Sequence, residues 1–403
     1  MWNAIIDGAM PQFWPPRSNP FWRATLEPGR RWYLKRYYGI TEVVVDRPEE
    51  FCPGISPGDG VLIAPNHSHD SDPHVMMEVG RRLGRQLHFM AAWQIFRPHW
   101  GLDGWLLQRM GAFSVDREGC DRRAIHQATE ILCSGRALVV FPEGEVYRLN
   151  DRLTPLLDGV AFMAVSAQRE LAKSNANCKV WVVPTAIRYR YLDDIQPHLE
   201  AAVERLENHM RYKPPHGTPL AERILHYGEL LLTIKEKEKF GRSFEGEGDL
   251  ATRINRLTET LLARHEQSYL DRCPSAETVA LRVKALRRKL FELWTDEAHD
   301  ADTRRLAREA LDDVQLALQA YSYPGNYISE KPSVERMAET IEKLEEDLDG
   351  FARPKGRRRA RVVFGQPIDL SQACGNGRPR SIAAEVTDRL ETAIREMLCR
   401  ESA

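Results

Sequence analysis

Residues 58–77 read GDGVLIAPNHSHDSDPHVMM. The apolar run Val61–Ala64, entered from Gly58-Asp59-Gly60, reads as a buried strand of an α/β sheet. Asp72 before Pro73 reads as a helix start, with aspartate as the N-cap and proline at the first helical position. Three histidines and two aspartates therefore fall within eight positions on a strand-to-helix turn, where open α/β sheets bind their ligands. Such a cluster serves as a metal site, as a general-base site, or as a polar loop that caps a helix.

Outward from this turn the texture changes four times. Residues 1–40 are rich in aromatics (Trp2, Phe13, Trp14, Phe21, Trp22, Trp32, Tyr33, Tyr37, Tyr38) interleaved with Arg23, Arg30, Arg31, Lys35 and Arg36. Residues 41–195 alternate the apolar runs VLIAP, ALVVF and VWVVPTAI with helical patterns, which predicts a mostly parallel sheet flanked by helices. Residues 196–355 are charged and helical: Val279, Val283, Leu286, Leu290 and Leu293 step by three and four, as do Val334, Met337, Ile341, Leu344 and Leu348. Residues 356–403 carry one more strand (Arg361-Val362-Val363-Phe364) and an amphipathic helix through Ile382, Val386, Leu390 and Ile394. The fold class expected is α/β with a large, charged, all-helical insertion.

Composition narrows the partners. Lys+Arg numbers 57 against 58 Asp+Glu, so no global charge points to nucleic acid. No segment reaches the roughly 18 to 20 apolar residues of a membrane span, and the start, Met1–Asp7, lacks the regions of a signal peptide. Seven scattered cysteines show no paired spacing, which places the chain in a reducing compartment. The expectation is a cytoplasmic protein.

The turn resists a metal reading. His67 and His69 fit the start of an H-x-H-x-D-H motif, but Ser71 and Asp72 stand where its aspartate and next histidine belong. A helix cap alone accounts for Asp72 before Pro73. A literal G-x-S-x-G at Gly54–Gly58 is a turn rather than a nucleophile elbow: it precedes the strand, and Pro57 has no N–H for an oxyanion hole.

Taken with three later stretches, the spacing from His67 to Asp72 resembles the glycerolipid acyltransferase family, the lysophosphatidate and glycerol-3-phosphate acyltransferases. His67-x-x-x-x-Asp72 looks like the first block and Gly111-Ala112-Phe113-Ser114-Val115-Asp116-Arg117 like the second. Phe141-Pro142-Glu143-Gly144 is identical to the core of the third, and Val182-Val183-Pro184-Thr185 looks like the fourth. The likeness covers residues 45 to 195, and Phe364–Ile368 with the helix after it resembles the family's closing elements. It implies that His67 and Asp72 are catalytic and that Arg117, Pro142, Glu143 and Gly144 bind the acceptor. The donor is then an acyl thioester, on coenzyme A or acyl carrier protein, and no cofactor or metal is needed.

The chemistry agrees with that resemblance. A hydroxyl needs a general base to attack a thioester at neutral pH, and histidine titrates in the useful range. An aspartate on the other ring nitrogen fixes the tautomer and stabilises the imidazolium. The substrate's own hydroxyl replaces the serine of a hydrolase triad, so no covalent enzyme intermediate is required. Asp72 then both caps the helix and orients His67, while His69, Asp70 and His74 are read as exposed or packing residues. Arg117 offers a bidentate fork to phosphate, and Glu143 bonds a glycerol hydroxyl or the loop's own amides.

Three departures from the family pattern weaken the cationic pocket. Glu145-Val146 follows Gly144 where threonine and a basic residue are usual, with Arg148 as a substitute. Asp158-Gly159 stands in place of lysine-glycine, and Ala91-Ala92-Trp93 lacks a basic residue. The expected acceptor is a glycerol phosphate or a lysophospholipid; the alternatives are a non-phosphate lipid acceptor and a non-catalytic lipid-binding relative. The N-terminal aromatics and arginines read equally as a peripheral dock on the inner membrane face and as a clamp over the core. The basic tract Lys355–Arg361 reads as a solvated charge run before a strand.

Overall fold

A computed structural model describes residues 10–46, 54–119, 121–174, 177–270, 277–373 and 377–400; Trp2 and the start Met1–Asp7 lie outside them. The chain divides into two compact units, Met1–Leu192 with Arg357–Ala403, and Asp193–Gly356.

The first unit begins with α1 (Pro20–Tyr37) and β1 (Ile40–Asp46). Then come β2 (Gly60–Pro65), α2 (Asp72–Arg82), β3 (Leu87–Ala92), α3 (Leu102–Arg109), β4 (Ala112–Val115), α4 (Arg122–Cys133), β5 (Ala137–Val139), α5 (Gly159–Lys173) and β6 (Val180–Tyr191). The second unit is all helical: α6 (Gln196–His209), α7 (Leu220–Phe240), α8 (Leu250–Tyr269), α9 (Val279–Thr295), α10 (Ala301–Tyr321), α11 (Tyr327–Glu330) and α12 (Val334–Asp349). The chain then returns to the first unit with β7 (Arg358–Phe364), β8 (Ile368–Asp369), α13 (Leu370–Ala373) and α14 (Pro379–Arg400).

The eight-stranded sheet has the order β1-β7-β6-β2-β5-β3-β4, with β8 beside β6. β7 and β8 run antiparallel to β6, and the remaining pairs are parallel. The expected α/β architecture is what the fold shows. Every residue of β2 is buried, and its side chains alternate between two cores, as a pleat requires. Leu62 and Ala64 pack with Ile131 and Leu132 of α4, Ala164 of α5 and Val386 of α14. Val61 and Ile63 face Val75, Met76 and Val79 of α2. Helices on both faces make such a strand apolar throughout.

In the second unit α10 packs on α8 and α9, and α12 on α6 and α7. Its buried cations are paired, as burial of charge demands: Arg282 with Glu266 at 3.0 Å and Arg253 with Glu236 at 2.7 Å. The tract 355–361 is a solvated run only in part: Arg357, Arg359 and Arg361 are exposed, while Arg358 is buried. Lys355 is buried against Glu345, and Arg359 and Arg361 lie within β7, where they pair with Glu42 and Asp46.

Candidate active site

β2 ends at Pro65, and the chain turns through residues 66–71 into α2. The turn holds His67 and Asp72 together, with His67 Nδ1 and Asp72 Oδ2 at 2.9 Å. The imidazole is 15% exposed while the carboxylate is fully buried, so the ring reaches solvent and its partner does not. Asp72 Oδ2 also accepts from the His69 N–H at 2.9 Å, and Asp72 Oδ1 accepts from the Tyr189 hydroxyl. The His67 ring stacks on Phe141 with centroids 4.0 Å apart.

Asp72 is not the helix cap that the sequence predicts. Ser71 occupies the N-cap position, Asp72 is the first helical residue, and no side chain caps the first turn. Both carboxylate oxygens are instead taken by His67, His69 and Tyr189.

The other residues of the turn are built in. His69 is buried, its Nδ1 lies 2.7 Å from Ser71 Oγ, and burial, with Arg358 and Arg148 adding to it, pushes its proton affinity well below the ordinary histidine range. His74 packs against Tyr33 and Tyr38 and is lowered to about 4 by burial and by Arg30. Asp70 pairs with the buried Arg148 at 2.5 Å. Of the two readings open to them, exposed or packing, these residues take the second, with Asp70 ion-paired.

Phe141-Pro142-Glu143-Gly144 follows β5 and lies beside the turn. Glu143 Oε1 accepts the His67 backbone N–H at 2.6 Å, and Oε2 accepts the Thr154 N–H at 3.1 Å and its hydroxyl. The amides that Glu143 engages are those of His67 and Thr154 rather than those of the F-P-E-G stretch itself. Burial raises its proton affinity, opposed by the His67 and Thr154 donors. Gly144 has φ +78°, and a Cβ there would sit 2.7 Å from Leu157 Cδ1, so the loop requires glycine. Arg117 comes off the end of β4, donates to the Gly144 carbonyl at 2.7 Å and pairs with Glu145 at 3.0 Å. Pro142 is buried beside them, and its carbonyl accepts the Leu157 N–H at 2.8 Å.

Three further residues shape the site without a motif to announce them. Tyr189 comes from β6, while Asn66 and Asn150 bond the β6 backbone at Ile187 and Tyr189. Asn66 adjoins His67 and Asn150 follows the F-P-E-G stretch, but only the paired strand shows their use. The Gly54–Gly58 stretch is a turn closed by Ser56 and Asp59. Among the described residues no group of three or more His, Cys, Asp and Glu side chains is placed to hold a metal ion.

A largely parallel sheet presents a solvent-reaching imidazole, backed by a buried carboxylate on a strand-to-helix turn, an arrangement suited to general-base chemistry. Residues 43–188 match the family model described as Acyltransferase, the glycerolipid acyltransferase family, and that match supports acyl transfer as the general chemistry of this part of the chain. Among curated proteins no match to the chain is found.

Proposed function

We propose that the protein transfers a fatty acyl group from a thioester to a hydroxyl of a glycerol phosphate or lysophospholipid. His67 is the base and Asp72 its orienter. The acceptor O–H gives its proton to Nε2 as its oxygen attacks the thioester carbonyl; the C–S bond then breaks, and the thiolate leaves with that proton. The observation that carries the reading is the 2.9 Å contact from His67 Nδ1 to the buried Asp72 carboxylate. It fixes the tautomer that leaves Nε2 as acceptor.

For the acceptor, Arg117 is the phosphate fork, reached once Glu145 yields its place. A second reading has support of its own. Arg117 is paired with Glu145 and Arg148 with Asp70, which neutralises two cations carried by the loops of the site and favours a non-phosphate acceptor. Phe21, Trp32, Trp100 and Leu102 are exposed, and the exposed charges of α1 are Arg31, Lys35 and Arg36. That combination suits peripheral contact with an anionic lipid surface on the cytoplasmic face. No helix among the described residues is long and apolar enough to cross a membrane.

The test is acyl transfer from long-chain acyl-coenzyme A to glycerol 3-phosphate, lysophosphatidate and a neutral lysolipid, read by mass spectrometry beside His67→Ala. Product with a phosphorylated acceptor, lost in the variant, is the expected result. Product with the neutral lysolipid alone supports the second reading. No product with any acceptor, from either coenzyme A or acyl carrier protein, sinks both and leaves a lipid-binding protein.

A further inference from the structure

β6 is longer than the strand beside it. The β2 register ends at Pro65 opposite Thr185, and beyond that point the same edge of β6 presents Ile187 and Tyr189. Two asparagine side chains take the place of the missing strand. Asn66 Oδ1 accepts the Ile187 N–H at 2.7 Å while its Nδ2 donates to the Ile187 carbonyl at 3.1 Å. Asn150 does the same for Tyr189, at 2.7 and 2.8 Å. Both amides are buried, and a primary amide reproduces the donor and acceptor of a backbone peptide. They tie the two loops of the site, one after β2 and one after β5, to a single strand.

The second clip fixes Tyr189, whose ring is 4% exposed. Its hydroxyl accepts from Ser71 Oγ at 3.0 Å and donates to Asp72 Oδ1. Phenylalanine would fill the same space, so packing alone gives no reason for an oxygen that must find partners when buried. The hydroxyl occupies the one Asp72 oxygen that His67 and His69 do not use.

Resting on the reading of His67 as the base, we infer that Tyr189 is a positioning residue for the His67–Asp72 pair. By holding Oδ1 it turns Oδ2 toward His67 Nδ1, and by sharing the carboxylate's charge it limits how strongly Asp72 retains the imidazolium proton. A base held too tightly protonated cannot accept the next proton, so this hydrogen bond sets the pH at which His67 works. The other groups facing the pair are Glu143 at the His67 N–H, the Phe141 ring, and His69 with Arg358, Arg148 and Tyr38 around it. Asp70 is held by Arg148. At Oδ1 itself the donor is the Tyr189 hydroxyl.

The test is Tyr189→Phe on the full chain, followed by NMR titration of the imidazoles, with His67 assigned by difference from His67→Gln. Losing one charge-assisted donor raises the midpoint at which His67 takes up its proton by about one pH unit. The acid limb of kcat/KM moves with it, and kcat falls by about tenfold. Ser71→Ala removes the hydroxyl that donates into Tyr189 without touching the ring, and it moves the midpoint the same way by less. A midpoint that stays put in both variants overturns the inference, even if activity drops. A midpoint that moves while His67→Gln still turns over overturns the catalytic reading of His67 instead and leaves the hydrogen-bond chain standing.

Discussion

Glu143 Oε1 accepts the backbone N–H of His67 at 2.6 Å, across 76 residues of sequence. The F-P-E-G loop thereby braces the turn that carries His67, and the second Glu143 oxygen locks Thr154 behind it. A carboxylate so engaged has little left for a substrate hydroxyl.

Glu143→Ala is therefore expected to act on stability and kcat together. It leaves the His67 and Thr154 donors without an acceptor, at a cost of about 1 to 3 kcal/mol. Urea denaturation with parallel turnover measures both. An unchanged denaturation midpoint with a raised acceptor KM would mean that the carboxylate contacts the acceptor.

Asp72→Asn is expected to keep the fold and lower kcat by about 10²- to 10⁴-fold, because an amide NH₂ in place of an acceptor oxygen turns the imidazole to the wrong tautomer. Steady-state kinetics with a folded-state control by circular dichroism reads this. Retention of most of the activity would remove Asp72 from the mechanism.

Glu145 pairs with Arg117, so under the proposed role of Arg117 as phosphate fork it competes with the acceptor. Glu145→Gln should lower KM for a phosphorylated acceptor by a few-fold, and Arg117→Ala should raise it by about tenfold, with KM for a neutral lysolipid unmoved in both. Equal changes for the two acceptors would place the phosphate elsewhere.

His88 is buried, its Nε2 has no partner among the described residues, and its proton affinity is lowered to about 4, chiefly by burial and further by Arg136 and Arg23. The ordinary histidine value is about 6.5, so the unfolded chain binds the proton first as pH falls. The stability that neutral His88 contributes is full above about 6.5 and is lost progressively down to about 4, by up to about 3 kcal/mol. His88→Leu should flatten that part of the stability profile while leaving neutral-pH stability close to wild type. Denaturation midpoints between pH 7 and 4 decide it, and a profile as steep as wild type would clear His88 of the effect.

Trp100 and His99 both have positive φ, at 61° and 50°, and Trp100 stands fully exposed at the start of α3. Trp105 of α3 meets Trp22, and Trp22 meets Phe21, by edge contacts of 4.9 and 5.4 Å. Trp100→Ser should weaken binding to phosphatidylglycerol vesicles by about tenfold. Neutralising Arg31, Lys35 and Arg36 together should weaken it on the order of 100-fold, with phosphatidylcholine vesicles bound poorly throughout. Vesicle co-sedimentation tests both, and equal binding to the two lipids would refute an electrostatic dock.

The N-terminal aromatics divide between packed and exposed positions. Trp14 stacks on Phe96 at 6.0 Å and Trp22 meets Trp105, which is the clamp. Phe21, Trp32 and Tyr37 remain exposed. Composition shows that aromatics and arginines are present, but burial depends on which helix face meets the core.

The sequence alone determined what depends on neighbours a few residues apart. Strand β2, the turn after it and the His67–Asp72 pair lie within thirteen positions, and their apolar run and five-residue spacing carry the geometry locally. The helices of 279–293 and 334–348 were legible by the same periodicity. Only the tertiary structure decided what holds the second Asp72 oxygen. The donor is Tyr189, 117 residues away, brought there by a strand pairing whose register no local pattern encodes. Glu143 as brace, Asn66 and Asn150 as substitutes for a strand, and Arg117 held by Glu145 are likewise contacts between segments remote in sequence. Side-chain type fixes what such groups are able to bond, and packing fixes which partner they get.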